Sequence, residues 1–424
     1  NLFIAIKGPN QDGHQHAFEA VTKGASFCVV SKKIKKINKN KLIFFNNTMN
    51  FLKRLAKEKR NNTNAKIIAI TGSSGKTTVK TMIGKILSIF SNVYYSPKSY
   101  NNHYGVPLSV SNLEAEHEYG VFEIGMSKQG EIHNLSKLVK PDIAIITNIA
   151  AAHIGNFKNI DEIAKTKAEI INNISNNGTV ILNRDDKFFN YLENLAKKKK
   201  INIISFGLSK NSDVHPVYTK TNKGINIHKI KIINKTILIK EKNLNIYNVL
   251  SCLGALESLG LDLKKTIKFF KHLEPLKGRG KIFKVKRFKT NFNLIDESYN
   301  SNPLSAKIAI KNFSNMNKVN FKKYIVIGDM LELGSKTNYY HKNLSKDLNN
   351  TDIDKVFVYG KEALNIYKYI NNKKKGSILQ HKNDFDEVFS KIIKKNDFLM
   401  IKGSNATGLH KLTSAIIKGS KNVI

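Results

Sequence analysis

The run Thr71-Gly72-Ser73-Ser74-Gly75-Lys76-Thr77-Thr78 carries the strongest chemical signal in the chain. Small residues let successive backbone N–H groups close around phosphate oxygens, and a helix N-terminus directly after them favours negative charge. Lys76 can then reach the terminal phosphates of a nucleotide, and the Thr77 hydroxyl can ligate Mg²⁺. The spacing is a shortened form of G-x-x-x-x-G-K-[ST], so residues Gly72, Ser73, Ser74, Gly75, Lys76, Thr77 and Thr78 are the expected phosphate site.

Three further residues sit where ligands of such a site belong. Glu123 closes the apolar run 119–124, where a carboxylate needs either a lysine or a second Mg²⁺ contact to offset burial. His153 follows the apolar run 143–149, at a strand's carboxyl end, where α/β sheets bind ligands. Lys167 falls four residues after Ile163, three before Ile170 and seven before Ile174, on the apolar face of a helix. It is either a snorkelling lysine or one of lowered pKa that takes up CO₂, the carbamate then bridging two metal ions.

Asp296 to Pro303 (Asp-Glu-Ser-Tyr-Asn-Ser-Asn-Pro) follows another apolar run. Asp296 can hold ribose hydroxyls, and Tyr299, Asn300 and Asn302 offer neutral polar groups to a ligand. Gly328 to Gly334 and Lys402 to Asn405 close two more runs, so the polar clusters converge on strand ends.

The elements that must position these residues can be read from periodicity. Residues 66–70 form a strand, and Val79, Met82, Ile83, Ile86, Leu87 and Phe90 give the following helix an apolar face. Further buried strands are expected at 119–124, 142–149 and 178–182, with helices over 161–174, 244–260 and 261–273. A third block repeats the rhythm with strands at 292–295, 324–327, 356–359 and 398–401, as in a doubly wound sheet. The first block alternates apolar runs at 2–6, 27–30 and 42–45 with polar clusters, and residues 57–64, which contain no apolar side chain, read as a linker. No G-x-G-x-x-G opens any unit, so a dinucleotide site is not supported.

At 424 residues the chain exceeds what one core organises, and 41% hydrophobic residues argue for folding throughout. The expectation is an α/β protein of three domains, 1–64, 65–277 and 278–424. They comprise an N-terminal unit, a central P-loop parallel-sheet ATPase domain and a C-terminal Rossmann-like domain, with the site in the cleft between them.

The charge sum, 71 Lys+Arg against 32 Asp+Glu, gives +39. Nucleic acid would be the usual reading, but only five of the basic residues are arginine, and lysine is spread from end to end beside abundant Asn and Ile. A biased base composition explains this better, and no nucleic-acid partner is expected. Cys28 and Cys252 lie far apart in apolar surroundings and read as buried free thiols. No apolar run spans a bilayer, so no membrane insertion and a cytoplasmic location are expected. A strand-like run at residue 1 with no initiating Met suggests that the true N-terminus lies upstream.

In order along the whole chain, these motifs resemble the ATP-dependent Mur ligases of peptidoglycan synthesis. The resemblance also draws on Asp12-Gly13-His14, Asn101-Asn102-His103-Tyr104-Gly105, Asn183-Arg184-Asp185-Asp186 and Gly278-Arg279. Ser-Tyr-Asn-Ser-Asn-Pro with Gly-Asp-Met-Leu-Glu-Leu-Gly looks like the branch that adds D-alanyl-D-alanine to UDP-N-acetylmuramoyl-tripeptide; the Asp-Asn-Pro-Arg box of the diaminopimelate- or lysine-adding branch is absent.

The resemblance implies ATP and Mg²⁺ as cofactors, a monomer, and amide ligation through an acyl phosphate. It implies Lys76, Glu123, His153, Lys167 and Arg279 as catalytic residues, with metal at Thr77, Glu123, His153 and carbamylated Lys167. It places adenine on Asn245 and Asn248, phosphate on Arg279 and ribose on Asp296. Asp12, Gly13, His14, Asn102, Tyr299, Asn300 and Asn302 would serve the other substrates. Three positions depart from the family pattern: Leu244 stands for the His of His-Asn-x-x-Asn, Asn405 stands for an Arg, and an Asp-Ser-Arg segment before Leu2 is missing. Another Mur-type or a folylpolyglutamate-type ligase is the alternative within the enzyme class. A nucleic-acid-stimulated ATPase is the alternative outside it.

Overall fold

The computed structural model of the protein describes residues 1–222, 224–316 and 320–419. Among them three sheets follow one another along the chain. The first has three parallel strands, β1 (Leu2–Ile4), β2 (Phe27–Val30) and β3 (Leu42–Phe44). Its small core gathers Ala5, Ala17, Cys28, Val30, Ile37 and Leu42.

The central sheet comprises β4 (Lys66–Thr71), β5 (Val93–Tyr95), β6 (Tyr119–Glu123), β7 (Ile143–Ile146), β8 (Thr179–Asn183), β9 (Asn202–Phe206), β10 (Val214–Asn222), β11 (Ile225–Ile232) and β12 (Lys235–Glu241). Their order is β12-β11-β10-β9-β8-β7-β4-β6-β5, parallel except for the β10–β12 meander. The strands β4, β6 and β7 are buried over nearly their whole length and mostly apolar, as expected of a parallel sheet with both faces covered. Strand β4 lies between β6 and β7, where successive crossovers change direction, and α/β sheets bind ligands outside the carboxyl ends of such a pair.

The third sheet comprises β13 (Lys281–Arg287), β14 (Thr290–Glu297), β15 (Lys323–Gly328), β16 (Lys355–Tyr359), β17 (Lys375–Leu379) and β18 (Phe398–Lys402), in the order β13-β14-β18-β15-β16-β17. Only the β13–β14 pair is antiparallel. One continuous buried cluster runs from the central sheet through Ile154 and Phe157 to Met330 and Leu333 of the third unit. The two larger units therefore share apolar contact beside the cleft.

The linker expected at 57–64 is instead largely helix. Thr48–Asn61 is one helix, capped by Asn47 Oδ1 on Asn50 N, with Leu52 and Ala56 buried. Its last turn, polar in sequence, is held by Arg60, whose Nε and Nη2 donate to Val139 O and Lys140 O of the central unit at 2.7 and 2.8 Å. A helix end without apolar residues can thus dock through guanidinium–carbonyl bonds, which periodicity does not register. The β10–β12 meander and strands β5, β9, β13 and β17 were also not anticipated. Both cysteines are buried and free.

Candidate active site

The phosphate loop joins β4 to the helix Lys76–Leu87. Gly72 and Gly75 have φ of +143° and +87°, and a Cβ on Gly75 would stand 2.6 Å from Asn248 Oδ1, so conformation and space both demand glycine there. The loop is gripped by the segment after β7. Asn148 O accepts from Ser73 N at 2.9 Å, Asn148 Oδ1 accepts from Ser74 N at 3.0 Å, and Thr147 Oγ1 donates to Ser74 O at 2.5 Å. Ser73 Oγ donates to Ala150 O and accepts from Ala150 N, both at 2.9 Å. Lys76 Nζ donates to Gly72 O at 2.8 Å, and burial lowers its pKa.

A polar corner forms one residue further on. Thr77 Oγ1 donates to Glu123 Oε2 at 2.7 Å, and Asn101 Nδ2 donates to Glu123 Oε1 at 2.7 Å. Arg279, just ahead of β13, donates through Nη2 to Thr77 Oγ1 at 2.9 Å, while its guanidinium lies 4.4 Å from the Tyr299 ring centroid. Ser99 Oγ is 3.0 Å from Thr77 Oγ1. Lys80, 1% exposed, holds the loop that brings Ser99 and Asn101 here by donating to Ser96 O and Lys98 O. Burial brings its pKa down to about 8.

This corner fits Mg²⁺. Glu123 is 2% exposed, and among the described residues its carboxylate accepts hydrogen bonds from two neutral groups, with the Lys76 and Lys80 ammonium groups acting on it only at longer range. Its donors, a hydroxyl and a carboxylate, are the hard oxygens that Mg²⁺ takes beside phosphate and water. Among the described residues no group of three or more His, Cys, Asp or Glu converges, so the protein alone forms no cage.

Lys167 lies in the helix Ile160–Ala168, 2% exposed, and lines the same cleft of about 1950 Å³. Burial and then repulsion from the Lys76 ammonium hold its pKa well below the ordinary lysine value. Among the described residues its ammonium makes no hydrogen bond.

His153 also lines the cleft, with φ of +58°. Its Nδ1 stands 2.6 Å from Glu332 Oε2 of the third unit, a contact outside hydrogen-bond geometry. Gly155 N donates to Glu332 O at 2.9 Å, and Gly155 packs directly on Gly334. Glu332 was singled out only as part of its motif.

The third unit corrects one expectation. Asp296 does not face the cleft: its Oδ2 accepts from Gly278 N at 2.8 Å, and its Oδ1 accepts from Ser298 N and Ser298 Oγ at 3.2 and 2.6 Å. Alternation along β14 turns Glu297 toward the cleft instead, where Lys402 Nζ is 3.5 Å from its Oε2. Burial raises the Glu297 carboxyl and lowers the Lys402 ammonium, each opposed by the other. Asn302 caps the helix Pro303–Ser314 in a capping box with Ser305, and its Nδ2 donates to Ser73 O at 3.1 Å, which ties the third unit to the phosphate loop. Tyr299 and Asn300 line the cleft and are exposed.

At the other wall, Asn245 caps the helix Ile246–Ser258, its Oδ1 accepting from Tyr247 N and Asn248 N. Asn102 Oδ1 accepts from Gly105 N, the first residue of the helix Gly105–Val110, at 2.8 Å, and Asn102 lines the cleft. Asp12, Gly13 and His14 lie outside this lining. Asp12 Oδ2 accepts from Lys32 Nζ at 2.7 Å, its Oδ1 lies 2.5 Å from His14 Nδ1, and His14 Nε2 accepts from Ser31 N at 2.9 Å. Gly13 N donates to Ile6 O, and a Cβ on Gly13 would stand 2.8 Å from Ile6 N. The motif thus fastens the loop after β1.

Residues 70–256 match the Mur ligase middle domain, and residues 283–405 match the Mur ligase glutamate ligase domain. The chain belongs to the Mur ligase family. A UDP-N-acetylmuramoyl-tripeptide–D-alanyl-D-alanine ligase of Rickettsia prowazekii is 33% identical to this Mur ligase, over 97% of this chain and 91% of the relative. A crystal structure of MurF from Acinetobacter baumannii superposes with a TM-score of 0.85 at 27% identity, covering 99% of this chain and 90% of that one. MurF from Thermotoga maritima in complex with ADP superposes at 0.81 and 26% identity, covering 99% and 95%. This Mur ligase therefore has the three-domain fold expected of it and is an ATP-dependent, ADP-forming amide ligase.

Residues not singled out from the sequence are Thr147 and Asn148, which brace the phosphate loop, together with Ser99 and Lys80; Glu297 and Lys402 stand out in the sequence only as parts of their motifs. Lys80 carried the same signal as Lys167, a lysine beside Val79 and Ile83 on the buried face of its helix.

Proposed function

We propose that this Mur ligase joins D-alanyl-D-alanine to UDP-N-acetylmuramoyl-tripeptide, with ATP converted to ADP and phosphate, in cytoplasmic peptidoglycan precursor synthesis. The observation that carries the chemistry is the convergence of Lys76, Thr77, Glu123, Arg279 and Lys167 in one cleft that the third unit covers. The choice of substrates rests on the named relative that matches 97% of the chain.

The terminal carboxylate of the tripeptide attacks the γ-phosphorus of ATP, ADP leaves, and an acyl phosphate forms. The amine of D-alanyl-D-alanine then attacks the acyl carbon, and the tetrahedral intermediate expels phosphate as the amine gives up its proton. A carboxylate at neutral pH is a poor electrophile, so activation is required. The phosphate loop cradles the β- and γ-phosphates, with Lys76 leaving Gly72 O for the phosphate oxygens. Arg279, already on Thr77 and stacked on Tyr299, neutralises charge as the phosphoryl group transfers. Mg²⁺ held by Thr77 and Glu123 would supply further neutralisation at the phosphate oxygens.

Burial and the Lys76 ammonium favour the neutral amine of Lys167, which takes up CO₂ with loss of a proton, giving a carbamate. With His153 it would hold a second metal ion, which would supply further charge neutralisation beside the phosphates. Glu297 takes the ribose hydroxyls in place of Asp296, and Asn245 and Asn248 flank the base. Asn102, Tyr299 and Asn300 face the acyl and amine substrates. Asp12, Gly13 and His14 support the UDP-sugar end in domain 1–64, beside domains 65–277 and 278–424. We propose that the enzyme acts as a monomer, with no nucleic-acid partner. Among the described residues no helix is long and apolar enough to cross a membrane.

The test is ADP release measured over a matrix of UDP-linked precursors and amines. Turnover that requires UDP-N-acetylmuramoyl-tripeptide and D-alanyl-D-alanine together supports the reading. Turnover triggered by another amino acid, by a folate with glutamate, or by DNA or RNA overturns it.

A further inference from the structure

The β10–β12 meander carries a polar cluster that no step above uses. Glu241, at the end of β12, is fully buried, and its carboxylate accepts three hydrogen bonds. Oε1 accepts from Asn226 Nδ2 at 2.7 Å and from His228 Nε2 at 3.0 Å, both on β11, and Oε2 accepts from Leu244 N at 2.6 Å. His228 Nδ1 lies 2.8 Å from Thr219 Oγ1 on β10, so the ring is held at both nitrogens. Glu241, His228, Asn226 and Thr219 all line the cleft.

A contact path leads from this cluster to the phosphate loop. Leu244 precedes Asn245, whose Oδ1 caps the next helix at Tyr247 N and Asn248 N, at 2.9 and 3.4 Å. Asn248 Oδ1 is the group that a Cβ on Gly75 would strike. Segment 242–245 is thus pinned at one end by Glu241 and at the other by a helix seated on the phosphate loop. Burying a carboxylate is costly unless its lone pairs are satisfied, and here two side chains serve that end while the remaining oxygen holds a backbone N–H.

We infer that Glu241, supported by His228 and Asn226, is a positioning group for the base end of the nucleotide. It fixes the backbone at Leu244, and with it the separation between Asn245 and the phosphate loop, without touching the ligand. The inference rests on the ATP site proposed above.

Two variants test it in the full-length chain. Glu241→Gln keeps the shape but turns one acceptor into a donor, so at least one of the three donors meets an N–H. Glu241→Asp keeps the charge but is one methylene too short to hold both sides. Binding of ADP and of inorganic triphosphate is measured by calorimetry, beside the thermal midpoint. The expected result is an ADP Kd raised about tenfold in each folded variant, with triphosphate affinity unchanged and, in turnover, a raised KM for ATP at constant kcat.

Unchanged ADP affinity in a folded variant overturns the inference, and so does equal weakening of ADP and triphosphate, which would mark a general structural role. If the glutamine variant does not fold, the aspartate variant decides by the same readouts. Wild-type protein that does not bind ADP, or that binds it equally after Lys76→Ala, overturns the nucleotide reading instead.

Discussion

Gly155→Ala isolates the contact between the central and third units. Gly155 lies in the short helical stretch Ile154–Asn156, and its φ is not in the left-handed region, so alanine suits the local backbone. A Cβ there would nevertheless sit 2.7 Å from Gly334 N, 3.0 Å from Glu332 O and 3.1 Å from Gly334 Cα, all backbone atoms of the other unit that cannot rotate aside. The units must separate locally, stretching the 2.9 Å bond from Gly155 N to Glu332 O and the approach of His153 to Glu332. Overpacking of this kind costs about 1–3 kcal/mol, while replacing Gly at a compatible site stabilises the chain by about 0.4–1 kcal/mol through the unfolded state.

The closed arrangement should therefore lose about 5- to 150-fold in population relative to the open one, with no loss of global stability. The expected outcome is a kcat reduced by about that factor, a thermal midpoint at or above wild type, and little change in triphosphate binding at the phosphate loop. Small-angle scattering with an ATP analogue and UDP-sugar peptide should show a wild-type contraction that the variant makes incompletely. A variant with wild-type kcat would refute the reasoning, because the contact would then lie outside the catalytic cycle. Gly334→Ala would not serve, since its φ of +57° confounds strain with contact.

Lys167→Ala should lose ligase activity by about 100-fold or more while still binding ADP, and bicarbonate should restore wild-type activity after CO₂ depletion; turnover near wild type would reduce Lys167 to a packing residue. Arg279→Lys gives up the planar group that bonds Thr77 and stacks on Tyr299, so kcat should fall about 10- to 100-fold, and a smaller effect would argue that charge alone suffices there. Lys80 has a folded pKa of about 8 against 10.5 for an ordinary lysine, so between those values the unfolded chain binds the extra proton and stability contributed by this group rises with pH. Urea midpoints of wild type minus Lys80→Met should accordingly climb from pH 8 to 10.5, and a flat difference would contradict the buried-ammonium account. Cys28 and Cys252 are buried with thiol pKa values raised by burial, so a thiol reagent should label neither before unfolding.

The residues most legible in the sequence were those whose neighbours in the chain are also their neighbours in space. The phosphate loop needs only a strand, two glycines and a helix N-terminus in succession, so Gly72 to Thr78 could be read directly. Lys167 was legible because helical periodicity places it among Ile163 and Ile170, and burial there follows from the helix having one apolar face. Asp296 and Glu297 show the limit of that reasoning. Both follow an apolar run, and which one faces a ligand depends on which face of β14 meets the central unit, a matter of docking between sheets that no local pattern encodes.

The same holds for Arg60, Glu332 and Glu241. Arg60 lies in the polar last turn of its helix yet is fixed by carbonyls 79 and 80 residues away, Glu332 meets His153 only because two glycines let their loops touch, and Glu241 finds its donors across a sheet that the sequence did not announce. The sequence by itself determined the phosphate chemistry and the parallel α/β units, since these rest on short-range periodicity and backbone conformation. The tertiary structure alone decided which carboxylates face the cleft and which groups cross between units, because partners distant in sequence are chosen by packing rather than by spacing along the chain.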